Sequence, residues 1–428
     1  MIAVLLITFF VLLLLGAPII SALMGSSLLS FALYSPRDLQ VVAQTLFTAN
    51  GSFSLLAIPL FVLAGALMSG GGISKRLINL FEKLVGWLPG GLAVVAVLAC
   101  AFFGALSGSA PATVAAIGGI MIPAMKERKY SVPWTACLLA SSGSLGAIIP
   151  PSIPMVLYGV LAKASVSALF CAGIIPGLVI ALGYCIYSVY YSKKNGIEVS
   201  PKSSGKEIGK AFLDAIWALL MPIIILGGIY GGFFTPTEAA AVAVVYGLVV
   251  GMFVYRELSL KDLPKLFAGA ARTSAAVLMI ITTAATFATV LTRNNIPTMI
   301  GSVIVSVART PFMFFAIFSV FMLILGMFMS VSPALVILTP ILAPAAAQIG
   351  INPVHFGVVF VTWMCIGTVT PPFGSDLFIA CGIAKIGAAS AFKKVWPFII
   401  IYVLAVIVTM AFPDMVLFLP RALNLMAP

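Results

Sequence analysis

The sequence predicts an all-α polytopic membrane protein built from two inverted-topology repeats, each with a re-entrant helical hairpin and a broken helix. Three observations predict this fold: a composition poor in charged residues, a Gly-Pro phrase that occurs twice, and two long apolar spans interrupted by small polar residues. Together they indicate a chain that crosses a membrane many times and breaks its own helices inside it.

The composition indicates a membrane protein. Of 428 residues, 62% are hydrophobic and only 8% are charged, whereas a soluble globular chain has about 25% charged residues. The net charge of +12 comes from cations in short loops between apolar segments, a distribution that sets membrane orientation and does not indicate nucleic-acid binding. The six cysteines lie in apolar segments without a CxxC pair, so we expect neither a disulfide framework nor a metal site.

The repeated phrase defines the two halves. Ser144-Leu145-Gly146-Ala147-Ile148-Ile149-Pro150-Pro151 returns as Cys365-Ile366-Gly367-Thr368-Val369-Thr370-Pro371-Pro372, at a constant offset (367 − 146 = 371 − 150 = 221). Homologous halves that each break a membrane helix with Gly and Pro are typical of transporters whose site lies at the repeat interface. The breaks free backbone groups at mid-membrane, where those groups can bind ions.

The apolar segments then give the domain organisation. Residues 91–125 and 311–348 are too long for one crossing, which needs about 20 residues, and each has small polar residues at its middle, so we interpret them as re-entrant hairpins. The first repeat is expected at 1–192, with scaffold helices in 1–90, hairpin 91–125 and broken helix 132–165. After a cytoplasmic linker at 193–213, the second repeat is expected at 214–428, with scaffold helices in 214–310, hairpin 311–348, broken helix 353–385 and a final helix at 395–420.

Charge placement predicts that the repeats are inverted. Lys126-Glu127-Arg128-Lys129 follows the first hairpin, whereas residues 348–352 after the second hairpin carry no charge. Positive residues favour the cytoplasm, so the first hairpin enters from inside and the second from outside. Both termini are then periplasmic if residues 1–16 and 18–34 are separate helices. A single tilted helix over 1–34 is the alternative.

The hairpin tips and helix breaks supply candidate cation ligands. Small residues in membrane helices commonly serve packing, but here each tip recurs in both halves beside a Gly-Pro break, which favours two cation sites. Hydroxyl and carbonyl oxygens without carboxylates suit Na⁺. The first predicted Na⁺ site comprises Ser107, Gly108, Ser109, Thr113, Ser144, Gly146 and Pro150. The second comprises Gly326, Ser330, Ser332, Gly367, Thr368 and Thr370.

One substrate cavity is expected between the two cation sites. Its predicted lining is Ser107, Ser109, Pro151, Ser332, Pro372 and Asp376. Asp376 is an intramembrane carboxylate and therefore a functional hypothesis by default. The alternative is that Asp376 caps the half-helix that follows Pro372. No GxxxxGK[ST] loop, HExxH or GxSxG motif occurs, so neither an ATP site nor enzyme chemistry is encoded.

Three motifs resemble those of the large membrane subunit of TRAP (tripartite ATP-independent periplasmic) transporters of the DctM/SiaM type. They are Gly143-Ser144-Leu145-Gly146-Ala147-Ile148-Ile149-Pro150-Pro151-Ser152-Ile153-Pro154-Met155, the tip Ser107-Gly108-Ser109-Ala110, and Gly367-Thr368-Val369-Thr370-Pro371-Pro372-Phe373-Gly374. The resemblance covers essentially the whole chain. It implies a Na⁺-coupled elevator fold similar to divalent-anion/Na⁺ symporters, with Na⁺ as coupling ion, no organic cofactor, and a location in the bacterial inner membrane.

The resemblance also implies partners and a substrate class. A small four-helix membrane subunit (Q) is expected as a separate chain, because this chain begins at the large subunit, and a soluble periplasmic binding protein (P) delivers an organic acid. Related systems carry sialic acid or C4-dicarboxylates; the overall likeness inclines toward the sialic-acid branch, but no residue decides it. An ion channel or a non-transporting membrane scaffold is the alternative, but a channel needs a continuous polar path and this chain has paired dead-end hairpins.

The distribution of charge further predicts which parts move. The units 91–165 and 311–385 hold the Gly, Ser and Pro breaks and almost no charge between their ends. The intervening segments end in arms rich in Lys, Arg and Asp, such as Arg37-Asp38 and Lys261-Asp262, which would anchor them at the headgroups. We therefore expect the two hairpin units to move as one body against residues 18–71 and 236–292.

Overall fold

The structure, a computed structural model, describes residues 1–35, 39–308 and 310–426. These ranges are all-helical and contain no β-strand. The first half forms α1 (Ile2–Leu14), α2 (Ile19–Tyr34), α3 (Leu39–Thr48), α4 (Ala57–Gly70), α5 (Ile73–Val85), α6 (Gly91–Ser107), α7 (Ala110–Glu127), α8 (Val132–Gly143), α9 (Ile153–Ala162) and α10 (Val166–Lys194). The second half forms α11 (Gly205–Tyr230), α12 (Pro236–Val249), α13 (Leu263–Arg293), α14 (Ile296–Val307), α15 (Pro311–Gly326), α16 (Val331–Gln348), α17 (Pro353–Gly367), α18 (Ser375–Ala384), α19 (Trp396–Ala411) and α20 (Pro413–Ala422).

Helix lengths agree with a polytopic membrane protein. Within the described ranges, 6 helices are long and apolar enough to cross a membrane, or 7 if α19 and α20 form one bent span. Large apolar side chains on the outer helices are exposed, among them Leu14, Phe47 and Phe312. Such a surface is stable in contact with lipid and not with water.

The beginnings and ends of the scaffold helices follow local capping chemistry. Residues 1–34 form two helices, α1 and α2, separated at Gly16-Ala17-Pro18, so the alternative of one tilted helix is wrong. The corresponding break in the second half precedes α12, which begins with a capping box between Thr235 and Glu238. A second capping box, between Ser204 and Glu207, starts α11 inside the predicted linker, so only residues 195–204 of that linker are non-helical.

The predicted hairpins and broken helices are present as helix pairs. The first hairpin is α6 and α7, which turn at residues 108–109, and the second is α15 and α16, which turn at 327–330. Each broken helix consists of two half-helices, α8 with α9 and α17 with α18. The predicted final helix at 395–420 is instead two helices, α19 and α20, bent by 67°. Pro413 has no N–H to continue the helical hydrogen bonds, which accounts for the bend.

The two halves share local backbone geometry as well as sequence. The peptide bonds Pro150-Pro151 and Pro371-Pro372 are both cis. The half-helices that follow them, α9 and α18, both end at a lysine in the left-handed conformation, Lys163 (φ 54°) and Lys385 (φ 55°). The repeat read from the sequence is therefore a structural repeat at the breaks.

Contacts between helices divide the chain into two bodies. The hairpin body combines the hairpin units of both halves, residues 91–165 and 311–385, because α18 packs on α7 and α8 while α9 packs on α16 and α17. The scaffold body interlocks α4 with α12 and α13, and α5 with α11, while α10 and α19 pack on helices of the hairpin units. The two bodies meet where α5 contacts α6, where α4 contacts α6 and α9, and where α13 contacts α16.

One of the two charged arms lies within the part of the chain that the structure describes. Arg37 and Asp38 lie outside the described residues. In the second half, Lys261-Asp262 directly precedes α13, which runs without a break from Leu263 to Arg293. The Ser259 hydroxyl and amide donate hydrogen bonds to the Asp262 carboxylate, at 2.7 and 3.0 Å, and these bonds lower its pKa.

A charged cluster joins three elements of the scaffold body. Arg76 of α5 pairs with Glu257 at 2.6 Å and with Asp214 of α11 at 3.3 Å, and its guanidinium lies 3.8 Å from the Tyr255 ring centroid. The Arg76 side chain is only 17% exposed, so these interactions are partly shielded from solvent. The cluster therefore holds α5, α11 and the 255–257 segment together.

Replacing Arg76 tests that role. Arg76→Met keeps the aliphatic stem but removes both ion pairs, and we expect a loss of about 1–2 kcal/mol of stability, measured as a lower melting temperature in detergent. Arg421→Met is the matched control, because Arg421 makes one ion pair with Asp414 and both side chains are more than half exposed. Equal melting temperatures for the two variants would contradict a structural role for the cluster.

Candidate functional site

The first hairpin tip gathers three of its predicted ligands. The Ser107 hydroxyl lies 3.1 Å from the Thr113 hydroxyl, which in turn donates a hydrogen bond to the Ser109 carbonyl at 2.8 Å. Gly108 connects the two helices in the left-handed conformation (φ 64°), which glycine adopts without strain. Ser109 caps α7, so the tip presents neutral oxygens beside a helix N-terminus.

The tip packs directly on the helix break of the same half. A methyl group at Gly146 would lie 2.5 Å from the Thr113 hydroxyl oxygen and 3.0 Å from the Ser109 carbonyl oxygen. The Gly108 carbonyl accepts a hydrogen bond from the Ile153 amide at 3.1 Å, across the Pro150-Pro151 turn. Ser107, Ser109, Thr113 and Gly146 therefore form one compact group of oxygens and backbone, as predicted.

Two predicted residues of the first site face elsewhere. The Ser144 hydroxyl bonds the Ser141 carbonyl at 2.7 Å and lies 3.4 Å from the Tyr402 hydroxyl, so its side chain points away from the tip. Pro150 and Pro151 are buried in the turn. A Cβ at Gly108 would lie 2.8 Å from the Pro151 carbonyl, so Pro151 reaches the tip through its backbone.

The second half repeats the contact between tip and break. A Cβ at Gly326 would lie 2.9 Å from the Gly367 Cα, and one at Gly367 would overlap the Gly326 backbone. The Thr368 and Thr370 hydroxyls are buried and donate to the Cys365 and Ile366 carbonyls of their own helix. Among the described residues, Gly326, Gly367 and both threonines thus line one junction.

Other predicted residues of the second half are not joined to that junction. Ser330 is exposed and Ser332 half-buried, and no hydrogen bond within residues 310–426 links either side chain to the 367–370 turn. Pro372 is exposed, and the neighbouring Phe373 ring lies 5.9 Å from the Phe328 ring of the tip. The second tip is therefore more open than the first, where Ser107 is only 1% exposed.

Asp376 does not line an open cavity in this structure. Its side chain is 0% exposed, and its amide donates to the Thr368 carbonyl at 2.9 Å. The N-cap of α18 is Gly374, and neither carboxylate oxygen of Asp376 accepts a hydrogen bond from a described residue. The interpretation of Asp376 as a capping residue is therefore wrong.

A large groove lies away from these residues. It has a volume of about 930 Å³ and runs between α15, α17, α19 and α20, with Phe312, Trp363 and Met410 in its walls. None of the predicted site residues lines it. Its apolar walls suit lipid or protein contact and supply no cluster of cation-binding oxygens.

Two glycines at the site escaped the sequence analysis. A methyl group at Gly104 of α6 would lie 2.5 Å from the Gly146 Cα, which makes Gly104 the counterpart of Gly326. The repeat offset of 221, applied to Gly326, falls one residue away at Ala105, so the close packing on Gly146 and not the register identifies Gly104. No repeat or motif in the sequence points to Gly65 of α4. A methyl group at Gly65 would lie 3.0 Å from both Cα and Cβ of Ser107. Gly65 is where the scaffold body meets the first tip.

Comparison with known families decides the identity. Residues 6–415 match the family described as the DctM component of the tripartite ATP-independent periplasmic transporters. The chain belongs to this TRAP large-subunit family. Its members are transporters and not enzymes, so the TRAP chain described here is a membrane transport protein, and the channel or scaffold alternative is set aside.

Relatives of this TRAP subunit are similar over most of its length. The C4-dicarboxylate large permease DctM of Pseudomonas aeruginosa is 40% identical over 94% of both chains. The isethionate permease DctMQ of Oleidesulfovibrio alaskensis is 42% identical over 94% of this chain, which spans only 64% of that protein. Among solved structures, the YdaH transporter of Alcanivorax borkumensis has a TM-score of 0.64 at 13% identity, covering 89% of this chain and 90% of YdaH. That likeness shows a shared fold.

The glycine junctions give a direct test of the site. In Gly146→Ala the new methyl group would meet the Thr113 hydroxyl and the Ser109 carbonyl, so we expect a loss of about 1–3 kcal/mol of stability and of most uptake. Gly119→Ala is the control in the adjoining helix α7, because nothing lies within 4 Å of a Cβ there. Wild-type uptake and melting temperature in Gly146→Ala would show that the junction is not tightly packed.

Proposed function

We propose that this TRAP large subunit takes up an organic acid by Na⁺-coupled secondary transport with an elevator mechanism. The proposal rests on family membership for the transport class, and on the neutral oxygens of Ser107, Ser109 and Thr113 for the coupling ion. Relatives are named for isethionate, C4-dicarboxylates and sialic acid, all of which are organic acids.

The substrate is proposed at the level of organic acids. The relative named for sialic acid, SiaM of Vibrio cholerae, is 34% identical, whereas the relative from Pseudomonas aeruginosa named for C4-dicarboxylates is 40% identical. The similarities therefore give no preference to sialic acid. An anion would be held by the N-termini of α7 and α16, whose backbone N–H groups face the hairpin tips.

The coupling ion is proposed to be Na⁺. The first tip offers hydroxyl and carbonyl oxygens and no carboxylate, which suits a monovalent cation better than Ca²⁺. Because the tip and break geometry recurs at Gly326 and Gly367, a second site is proposed there, with carbonyls of the 367–370 turn and the Thr368 and Thr370 hydroxyls as ligands. The two sites would flank the substrate.

The chain is proposed to act with two partners in the bacterial inner membrane. These are a small membrane subunit, which would brace the scaffold body, and a periplasmic binding protein, which would deliver the substrate. Both termini are proposed to be periplasmic, as expected from the charge distribution and an even number of crossings. The name DctMQ of one relative is in keeping with a large and a small subunit that work together.

The moving part is proposed to be the body formed by the two hairpin units. Three features support this assignment: the hairpin units pack on each other across the halves, the charged Arg76 cluster lies entirely in the scaffold body, and the small residues Gly65 and Ser107 form one of the contacts between the bodies. A surface built from Gly65 and Ser107 can slide without breaking an ion pair. Such a surface is suited to an elevator motion.

Coupling is tested in liposomes that contain the large and small subunits and the binding protein. We expect uptake to stop when external Na⁺ is replaced by choline at fixed pH. Thr113→Val should weaken the apparent Na⁺ affinity by about 10-fold or more, because it removes one oxygen ligand. Thr289→Val is the control, since that hydroxyl bonds only the Ala285 carbonyl on α13.

Two results would contradict the proposal. Undiminished uptake in choline would exclude Na⁺ coupling, and equal Na⁺ affinities for Thr113→Val and Thr289→Val would exclude the first site. The same liposomes without the small subunit should show no uptake. Full uptake from the large subunit and binding protein alone would remove the small subunit from the mechanism.

The elevator motion is tested by crosslinking. Cysteines introduced at Gly65 and Ser107 join the scaffold body to the first tip, because a Cβ at Gly65 would lie 3.0 Å from the Ser107 Cβ. We expect a short bis-thiol reagent to block the uptake that this double variant retains, by holding one state. A pair at Leu67 and Gly247 is the control, because it lies within the scaffold body and the two Cβ positions are 3.5 Å apart. Uptake that survives the 65–107 crosslink would mean that the two bodies do not move apart.

A further inference from the structure

Asp376 is a buried carboxylate that is not a ligand of either of the two proposed Na⁺ sites. It lies in the first turn of α18, its side chain is 0% exposed, and both carboxylate oxygens lack a hydrogen-bond partner among the described residues. None of the ion pairs within the described ranges involves it. A carboxylate in such a place is costly unless a positive charge accompanies it.

The neighbours of Asp376 provide oxygens but no positive charge. Thr368 is adjacent, because its carbonyl accepts a hydrogen bond from the Asp376 amide, and the ionisable groups that interact electrostatically with Asp376 are the Cys365 thiol and the Tyr402 hydroxyl. Both are acids that are neutral when protonated, so neither can balance a carboxylate. A charged Asp376 would therefore need a positive charge from outside these side chains.

The polar surroundings of Asp376 come from both halves of the chain. The Tyr402 hydroxyl of α19 lies 3.4 Å from the Ser144 hydroxyl at the first break. The hydroxyls of Ser141 and Ser142, at the end of α8, are buried, and no described residue offers either of them a hydrogen bond. Helix α18 packs on α7 and α8, so the carboxylate lies within the hairpin body between the two helix breaks.

We infer that Asp376 is the anionic ligand of a third Na⁺ site in the hairpin body, which shares Thr368 with the proposed second site and takes the Tyr402 hydroxyl as a further oxygen. The inference rests on the proposed Na⁺ coupling. A monovalent ion is favoured because no group of three or more His, Cys, Asp or Glu side chains that could hold a metal occurs among the described residues. An anionic substrate is excluded as the ligand because the carboxylate would repel it.

Na⁺ binding at equilibrium tests the inference. The intact complex of large and small subunits, in detergent at fixed pH, is titrated with ²²Na⁺ as wild type, Asp376→Asn and Asp414→Asn. We expect Asp376→Asn, which keeps the shape of the side chain, to bind one Na⁺ fewer than wild type. Asp414→Asn removes an exposed carboxylate of the same half and should bind as many as wild type.

The outcomes separate this inference from the proposed function. If the wild type binds no Na⁺, the proposed coupling and the third site both fail. If the wild type binds Na⁺ and Asp376→Asn binds the same number, only the third site is excluded, and Asp376 is a buried neutral acid. Should Asp376→Asn not fold, Tyr402→Phe decides: a Na⁺ affinity at least threefold weaker in one site supports the inference, and an unchanged titration overturns it.

Discussion

The backbone groups freed by a broken membrane helix have to be satisfied by protein, because lipid offers them no hydrogen bonds. In this TRAP subunit, other backbone and side-chain groups of the protein form hydrogen bonds with the groups at the breaks. The Gly108 carbonyl at the first tip accepts the Ile153 amide beyond the first break, and the Thr368 carbonyl accepts the Asp376 amide across the second. The Ser152 hydroxyl closes the first turn onto the Ala147 carbonyl at 2.5 Å. The hairpins and the broken helices therefore depend on one another, and neither could exist in lipid alone.

Glycine makes this mutual cover possible. Gly104 against Gly146, and Gly326 against Gly367, bring two backbones so close that a single methyl group would overlap the opposing chain. Small residues allow membrane helices to pack in this way. The close approach has a chemical consequence, because it sets carbonyl oxygens of one helix beside hydroxyls of the next. The same contacts that stabilise the breaks thus assemble the proposed cation ligands.

The charged residues follow the division of the chain into a scaffold body and a hairpin body. Ion pairs of Arg76 with Asp214 and Glu257 join helices within the scaffold body, whereas the contact between bodies at Gly65 and Ser107 is formed by small side chains. Inside the hairpin body, the Asp376 carboxylate is fully buried and has no hydrogen-bond partner among the described residues. A body that moves through a membrane can carry such a carboxylate when a bound cation neutralises it. This reasoning connects the inferred third site to the proposed elevator motion.

The sequence by itself determined the all-helical membrane fold, the two-fold repeat, the hairpins and the positions of the breaks, because these follow from local composition and from Gly and Pro in a fixed register. It also identified Ser107, Ser109, Thr113 and Gly146 as neighbours in space. Only the tertiary structure decided that Ser144 faces Tyr402, that Asp376 is buried and is not a capping residue, that the last helix bends at Pro413, and that Gly65 meets the tip. The physical reason is that side-chain direction and long-range contact depend on how helices from distant parts of the chain pack. Helical periodicity is a local pattern and does not predict that packing.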